Sequence, residues 1–341
     1  MTDTDHTRTI YQPLHPSLLS KLDPEYIAFH NAYMQYVPRD ESKTWDGSAR
    51  TTPSLPPGGS PLVPVGSTRD INLGEFSVRV YVPEGEPDGE GWPVFVWFHG
   101  GGWAIGGLED SGDFLTRVCR DARCVVITVA YRLSPEYPFP APVDDALATV
   151  QWIYTQPLST PFDLRRISLG GTSAGANLAL VLALKLVADP TAFPYPLTTL
   201  LLIVPVIDNT ATLPPASASE SDCIWHSNRH APWLTPTRML WYRDMYLPNP
   251  SDWCTWSASP NLAPEELLAR LPRTWIAVAE CDLLAPEALE LAGRLKGLGV
   301  GVERYVVEGG THSILALNGV LGKGRQLVER AVEVVRRGFG G

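Results

Sequence analysis

Residues 167–175 read Ile167-Ser168-Leu169-Gly170-Gly171-Thr172-Ser173-Ala174-Gly175. The segment begins with residues that favour strands and continues with glycines. Residues 178–185, which follow it, are a run of helix formers. The pattern predicts a strand, an abrupt turn and a helix, with Gly171-x-Ser173-x-Gly175 at the turn.

Ser173 is the residue of chemical interest in this turn. A serine hydroxyl is a useful nucleophile when it projects into a site and a base can reach it. A glycine two places to either side lets strand and helix pass closely enough to hold it there. The N–H of Ala174, at the N-terminus of the helix, is free to meet a developing oxyanion. The alternative is a small-residue helix entry with Ser173 as its cap, so other parts of the chain must decide.

The bulk composition predicts one large, soluble α/β domain with a small cap. The chain has 341 residues, 44% of them hydrophobic, and its mean hydropathy is −0.04. The net charge of −10 and the pI near 5.2 argue against nucleic acid and anionic membrane surfaces as partners. No apolar run approaches the length of a bilayer span.

The start of the chain and its cysteines indicate a cytoplasmic protein. Residues 1–10 are polar and lack the basic and apolar regions of a signal peptide. Five cysteines, an odd number, show neither paired nor metal-ligand spacing, so we expect free thiols in a reducing compartment and no metal site. They are Cys119, Cys124, Cys223, Cys254 and Cys281.

The order of patterns along the chain predicts three regions. Residues 1–52 form an N-terminal helical cap segment, helical over 11–37 but broken by prolines, and residues 53–66 form a Pro/Gly-rich linker. The rest, 67–341, is a catalytic domain in which strands alternate with helices, which predicts a mainly parallel sheet covered by helices on both faces. Strands are predicted at 76–82, 93–98, 124–131, 197–204, 274–279 and 302–307, and helices at 143–154, 237–246, 287–298 and 319–337.

One region departs from this alternation. Residues 209–262, called the Trp-rich insertion below, are mostly loop-like and hold five of the eleven tryptophans. Each tryptophan alone could simply pack a structural excursion, but together they predict an apolar lid over the site, packed with the N-terminal helices. They are Trp225, Trp233, Trp241, Trp253 and Trp256.

A serine hydrolase also needs a base, an acid that orients it, and oxyanion donors. In an α/β-hydrolase fold the triad follows the chain order Ser, Asp or Glu, His, each after a strand. Asp282 comes just after the predicted strand 274–279, and His312 just after 302–307. The run 99–102, His-Gly-Gly-Gly, also follows a strand, and its glycines let backbone N–H groups point inward.

Several alternatives stay open at this point. Glu280 is two residues from Asp282, so strand alternation does not separate them as the acid. Glu308 is nearer to His312 in sequence but ends the preceding strand, where we expect it to be solvated. His226 and His230 fall in the Trp-rich insertion, where a satisfied or exposed histidine is expected.

The chain resembles the hormone-sensitive-lipase-like branch of the α/β hydrolases, which includes many microbial carboxylesterases. The resemblance implies Asp282 as the acid, with Gly101, Gly102 and Ala174 as oxyanion donors. It also implies His99 as a scaffold for the glycine loop, and a cap built from the N-terminal helices. The segments that carry it are 99–103 (HGGGW), 131–142 with 144–146 (YRLSPEYPFPAP, DDA), 171–175 (GTSAG), 279–282 (AECD) and 309–312 (GGTH).

Three positions depart from the family pattern and put substrate preference in doubt. Pro286 stands where a second Asp is common, Ser313-Ile314 where Gly-Phe is common, and Thr172 where Asp is commoner. None of the three removes a catalytic group. We expect Thr172 and Ile314, together with Trp103 after the glycines, to contact substrate, with core packing as the alternative for Trp103.

These patterns predict a serine carboxylesterase with the triad Ser173, Asp282 and His312 and no cofactor. Its partner is a small or medium soluble ester, and a homodimer through a sheet edge, common among similar proteins, is an open alternative. A lactone, an amide or a specialised acyl compound could replace the simple ester. The branch also includes a plant hormone receptor that has lost the base histidine, but this chain keeps His312.

Overall fold

The computed structural model describes residues 8–52, 57–155, 161–191, 193–212 and 223–340. These contain the strands β1 (Ser67–Asn72), β2 (Ser77–Val82), β3 (Trp92–Phe98), β4 (Val125–Ala130), β5 (Phe162–Thr172), β6 (Thr199–Ile203), β7 (Arg273–Ala279) and β8 (Val302–Val307). They form an eight-stranded sheet in the order β1-β2-β4-β3-β5-β6-β7-β8. β2 pairs antiparallel with β1 and β4, and the other neighbours pair parallel.

Helices separate most of the strands and cover both faces of the sheet. Within the same residues they are α1 (Pro24–Ala32), α2 (Gly112–Asp121), α3 (Ala141–Thr155), α4 (Ala174–Ala188), α5 (Pro236–Tyr246), α6 (Pro250–Trp253), α7 (Glu265–Leu268), α8 (Ala285–Gly297) and α9 (Gly322–Gly338). The predicted α/β-hydrolase architecture, with a mainly parallel sheet between two layers of helices, is confirmed.

The central strand β3 shows why its sequence is continuously apolar. All seven of its residues are buried. Val94, Val96 and Phe98 pack with α3, α4 and α8 on one face of the sheet, whereas Phe95 and Trp97 pack with α2 and α9 on the other. Because helices cover both faces of this strand, neither face favours polar side chains. The sequence is therefore a continuous apolar run and does not alternate between apolar and polar residues.

Three parts of the structure differ from the predicted elements. The hairpin strand β1 was not predicted, because it is polar and exposed at the sheet edge. Helix α2 was not predicted either. The N-terminal segment is less helical than expected: only α1 is a full helix, starting at Pro24 behind the cap Asp23, whose carboxylate accepts the N–H of Glu25.

Residues 57–66, the described part of the predicted linker, lie against the catalytic domain. Gly58 accepts a hydrogen bond from the N–H of Gly319 at 2.8 Å. The N–H of Ser60 donates to the Asp113 carboxylate of α2 at 2.9 Å. This stretch is therefore packed along α2 and the residues that precede α9, while 53–56 lie outside the described residues.

The N-terminal segment and the Trp-rich insertion contact each other directly. Arg238 of α5 donates to the Glu41 carboxylate at 2.8 Å, and each side chain is only 3% exposed. The rings of Trp45 and Trp241 lie 5.7 Å apart. His15 stacks on His230 with 3.7 Å between ring centroids. The two cap pieces are thus joined by a buried ion pair and by ring contacts.

We expect Glu41→Ala to lower the free energy of unfolding by about 3–5 kcal/mol, because it leaves the buried Arg238 guanidinium without its counterion. Urea denaturation followed by tryptophan fluorescence measures this loss. The matched control is Glu303→Ala, which removes an exposed pair with Arg337 and should cost about 0–1 kcal/mol. The double variant Glu41→Met/Arg238→Met should recover most of the loss, and equal stability of Glu41→Ala and wild type would contradict the prediction.

Candidate active site

Ser173 lies between the end of β5 and the start of α4, in a strained turn. Its φ of 55° and ψ of −120° are unfavourable for a residue with a side chain. A Cβ at Gly175 would overlap the carbonyl oxygens of Phe98 and His99, and a Cβ at Gly171 would overlap the backbone of Gly175. The two glycines therefore allow β5, α4 and the end of β3 to touch, which presents the Ser173 hydroxyl at the carboxyl edge of the sheet.

The predicted triad residues form a continuous chain of hydrogen bonds. The Ser173 hydroxyl lies 2.9 Å from Nε2 of His312, and Nδ1 of His312 lies 2.8 Å from the Asp282 carboxylate. Asp282 is buried and accepts a further N–H from Leu284 at 3.3 Å. Because an ionised Asp282 can only accept, Nδ1 carries the proton and donates it to Asp282, which leaves Nε2 to accept the Ser173 hydroxyl.

The geometry distinguishes Asp282 from Glu280. Glu280 is exposed, and its carboxylate accepts the N–H of Gly309 at 2.8 Å in the loop that leads to His312. It supports that loop but does not contact the imidazole. Asn228, in the Trp-rich insertion, donates from its side-chain amide to the carbonyls of Asp282 at 2.6 Å and of Glu280 at 3.0 Å. Sequence reasoning missed Asn228, since no local pattern marks such a partner.

The glycine loop after β3 faces the Ser173 turn. Gly101 and Gly102 have φ values of 105° and 58°, and the N–H groups of Ala104 and Ile105 both donate to the Gly101 carbonyl at 3.0 Å, which closes a tight turn. Within the described part of the chain, the N–H groups of Gly101, Gly102 and Ala174 donate to no protein acceptor. These three donors are available to an anionic oxygen beside Ser173.

His99 is held as a neutral, buried support for this loop. Its ring stacks on Tyr131 at 4.2 Å, and the Tyr131 hydroxyl donates to the His99 carbonyl at 2.8 Å. Burial lowers the pKa of His99, an effect that the nearby Asp110 partly offsets. The neutral ring donates from Nδ1 to the Gly100 carbonyl at 2.7 Å, and so fixes the peptide that precedes Gly101.

A cavity of about 800 Å³ opens over Ser173 and His312. Its walls come from the glycine loop, the N-terminal segment, the Trp-rich insertion and the residues after His312. The side toward the insertion is apolar except for Arg238, whereas the side toward α2 carries Glu109, Asp110 and Asp113. The insertion contributes Trp233, Leu234, Arg238, Met239 and Tyr242, and the N-terminal segment contributes Ala49 and Arg50.

Residues 95–316 match a family model for the alpha/beta hydrolase fold. The chain belongs to the hormone-sensitive-lipase-like family of α/β hydrolases. It is 38% identical to an AB hydrolase superfamily protein of Schizosaccharomyces pombe over 98% of each chain. It is 30% identical to the esterase LipI of Mycobacterium tuberculosis, over 78% of this chain and 79% of the relative. A thermostable esterase from Pseudomonas putida superposes with a TM-score of 0.78 at 25% identity, covering 94% of this chain and 98% of that one.

In this α/β hydrolase, two of the three predicted substrate contacts lie away from the cavity. Thr172 lines it. Trp103 is fully buried and stacks on Tyr246 of α5 at 4.2 Å, because its φ of 59° turns the side chain into the core. Ile314 is buried among the residues that pack against α9, and its neighbours Ser313 and Leu315 line the cavity instead. Trp103 and Ile314 thus lie outside the cavity lining in this structure, and their contact with substrate stays a prediction.

Two further observations bear on what this hydrolase could hold. Among the described residues, no group of three or more His, Cys, Asp or Glu side chains is placed to hold a metal ion. No helix in those same ranges is long and apolar enough to cross a membrane. The cytoplasmic location and the homodimer stay predictions.

Glu287 of α8 is a buried carboxyl that sequence reasoning missed, although an acidic residue among the apolar positions of a helix is a recognisable signal. It accepts the N–H of Ile207 at 2.9 Å, next to Val206, whose N–H donates to the Ser173 carbonyl at 3.3 Å. Burial raises its pKa well above the usual range, and nearby Asp208 and Asp282 add to this effect. Burial therefore favours the protonated form of Glu287, which supports the segment behind Ser173.

We expect the stability of Glu287→Gln relative to wild type to increase as the pH rises from about 5 to about 8. The raised pKa means that folded Glu287 holds its proton above pH 5 while the unfolded chain releases it, so wild-type stability falls as pH rises through this window. The amide oxygen of a glutamine can still accept the N–H of Ile207, and because glutamine does not titrate, the variant does not lose stability in this way. Urea denaturation midpoints across the range measure the difference.

The control is Glu290→Gln, which changes an exposed carboxyl on the same helix. Its stability relative to wild type should be independent of pH in this window. A difference between Glu287→Gln and wild type that stays constant from about pH 5 to about pH 8 would show that Glu287 is ionised in the folded protein.

Proposed function

We propose that this chain is a serine hydrolase that cleaves carboxylic esters through an acyl-enzyme intermediate. The observation that carries the proposal is the hydrogen-bonded chain Ser173–His312–Asp282, beside the unpaired N–H groups of Gly101 and Gly102 in the same cavity and that of Ala174 next in the chain. Membership of the esterase family supports the same chemistry. A binding-only role is not favoured, because the base His312 is present and in contact with both of its partners.

The reaction follows from this arrangement. Ser173 Oγ attacks the acyl carbon while His312 Nε2 takes its proton, and Asp282 stabilises the resulting imidazolium. The carbonyl oxygen becomes an oxyanion bound by the N–H groups of Gly101, Gly102 and Ala174. His312 then gives its proton to the leaving alkoxide, and the alcohol departs. Water, deprotonated by His312, attacks the acyl-enzyme, and the carboxylic acid leaves as Ser173 regains its proton.

The cavity supports small to medium neutral esters as substrates. Its volume of about 800 Å³ is in the range of sites for small organic molecules. Both arginines on its wall already have carboxylate partners, Arg50 with Glu136 and Arg238 with Glu41. The carboxylates on the side toward α2 repel anionic groups. Neutral acyl and alcohol groups are therefore better accommodated than anionic ones.

The first test compares wild type and Ser173→Ala on p-nitrophenyl esters from acetate to decanoate. Wild type should hydrolyse the short esters, and Ser173→Ala should lose at least about 10³-fold in kcat, because no other group can form the acyl-enzyme. The control Ser67→Ala, on the exposed strand β1, should match wild type. Absence of turnover in wild type would refute the esterase proposal, and a fully active Ser173→Ala would refute the nucleophile.

The second test separates the two candidate acids. Asp282→Asn should lower kcat by about 10³–10⁴-fold, since an amide favours the wrong tautomer of His312 and cannot stabilise its charged form. Glu280→Gln should keep kcat within a few-fold of wild type, because glutamine still accepts the N–H of Gly309. Steady-state kinetics on p-nitrophenyl acetate measure both variants. The reverse pattern would assign the acid to Glu280.

A further inference from the structure

Arg50, at the end of the N-terminal segment, binds the loop that carries the oxyanion donors. Its Nε donates to the Ala104 carbonyl at 2.9 Å, and its Nη2 donates to the Ser134 carbonyl at 2.8 Å. The same guanidinium forms an ion pair with Glu136. One side chain thus joins the glycine loop to residues 134–136. These contacts are strong, because a hydrogen bond from a charged donor is stronger than one between neutral groups.

Ala104 belongs to the turn that contains Gly101 and Gly102. The N–H of Ala104 donates to the Gly101 carbonyl, so the peptides on both sides of Ala104 are coupled to Gly101. The N–H of Ser134 donates to the carbonyl of Trp103 at 2.8 Å. Two successive carbonyls of the turn are therefore held from outside, one by the Ser134 backbone and one by Arg50.

The glycines cannot hold this geometry themselves. Gly101 and Gly102 have no side chains to pack, and glycine has more backbone freedom than any other residue. An oxyanion site lowers the barrier only when its donors are oriented before the reaction, so the orientation must come from neighbouring groups. On the other side of the turn, the Tyr242 ring covers Gly102 so closely that a Cβ there would overlap it. Arg50 completes this enclosure.

Arg50 is itself fixed by its local structure. It ends a short 3₁₀ turn, Ser48–Arg50, which Gly47 enters with φ 79°. The Asp46 carboxylate accepts both the N–H and the hydroxyl of Ser48, at 2.9 and 2.6 Å. The guanidinium lies 5.1 Å from the centre of the Trp45 ring. The side chain is therefore placed before substrate binds.

We propose that Arg50 is a positioning residue that orients the N–H groups of Gly101 and Gly102 for oxyanion binding. The inference rests on the proposed esterase function. Arg50 lies outside residues 95–316, so the N-terminal segment serves the reaction as well as covering the cavity. A residue that acts on the oxyanion donors changes the rate of the chemical step and leaves the ground-state affinity for a small ester nearly unchanged.

The test measures kcat and KM for p-nitrophenyl acetate in Arg50→Ala and Arg50→Lys. Active sites are counted by stoichiometric phosphonylation of Ser173, so that unfolded protein does not contribute. We expect kcat per active site to fall at least about 10-fold with KM within about twofold. Arg50→Lys should also lose rate, because one ammonium cannot replace a planar fork that reaches two carbonyls. Methylguanidinium should restore part of the rate of Arg50→Ala.

A trifluoromethyl ketone, whose adduct with serine carries an oxyanion, gives an independent measure. Its affinity should weaken by the same factor as kcat/KM in the Arg50 variants. Two controls are matched to the site. Arg39→Ala changes an arginine of the same segment that donates to the Tyr11 carbonyl, and Glu136→Gln removes the ion pair but leaves both carbonyl contacts. Both should keep kcat within about threefold of wild type.

Full kcat per active site in both Arg50 variants would overturn the proposal, and so would a rise in KM at unchanged kcat. If Arg50→Ala does not fold, Arg50→Lys decides by the same criteria. Failure of the Arg50 proposal can be distinguished from failure of the esterase proposal. If wild type is neither phosphonylated at Ser173 nor active on esters, the esterase proposal fails. Normal wild-type activity with unaffected Arg50 variants overturns the role of Arg50 alone.

Discussion

The close contact between β3, β5 and α4 is the constraint on which the site depends. Gly175, in the first turn of α4, lies against the carbonyls of Phe98 and His99, so no larger residue fits there. This contact brings the end of β3, and with it the glycine loop, beside the strained Ser173 turn. The proposed nucleophile and the proposed oxyanion donors are thus placed together by backbone packing, before any side chain of the site is considered.

The parallel order of the strands brings the other two residues of the proposed triad to the same edge. β6 lies between β5 and β7, and β8 follows β7, so the carboxyl ends of these strands meet at one edge of the sheet. Asp282 and His312 come from the segments after β7 and β8 and reach Ser173 there. Burial on both faces fixes the sheet, since β3 packs against helices on each side. The residues of the proposed triad therefore lie at the edge of a sheet that is packed on both faces.

The fold, and the meeting of Ser173, His312 and Asp282, could be predicted because both arise from local patterns: apolar runs with turns, and short motifs after strands. Features that depend on distant partners could not. The polar strand β1 has no hydrophobic signal, and the outward or inward direction of Trp103 depends on a positive φ that sequence does not reveal. The pairing of Glu41 with Arg238 joins residues almost two hundred positions apart. The spacing of charged residues in a sequence does not indicate which of them form ion pairs.

Those distant contacts determine how the cavity is closed. The N-terminal segment meets α5 through Glu41 and Arg238, and α5 meets the glycine loop through Tyr242 over Gly102. Arg50 of the N-terminal segment donates a hydrogen bond to the Ala104 carbonyl in the same loop. The N-terminal segment, α5 and the glycine loop are therefore each in contact with the other two. Leu62 and Glu109 also line the cavity and are exposed, and neither takes part in these contacts.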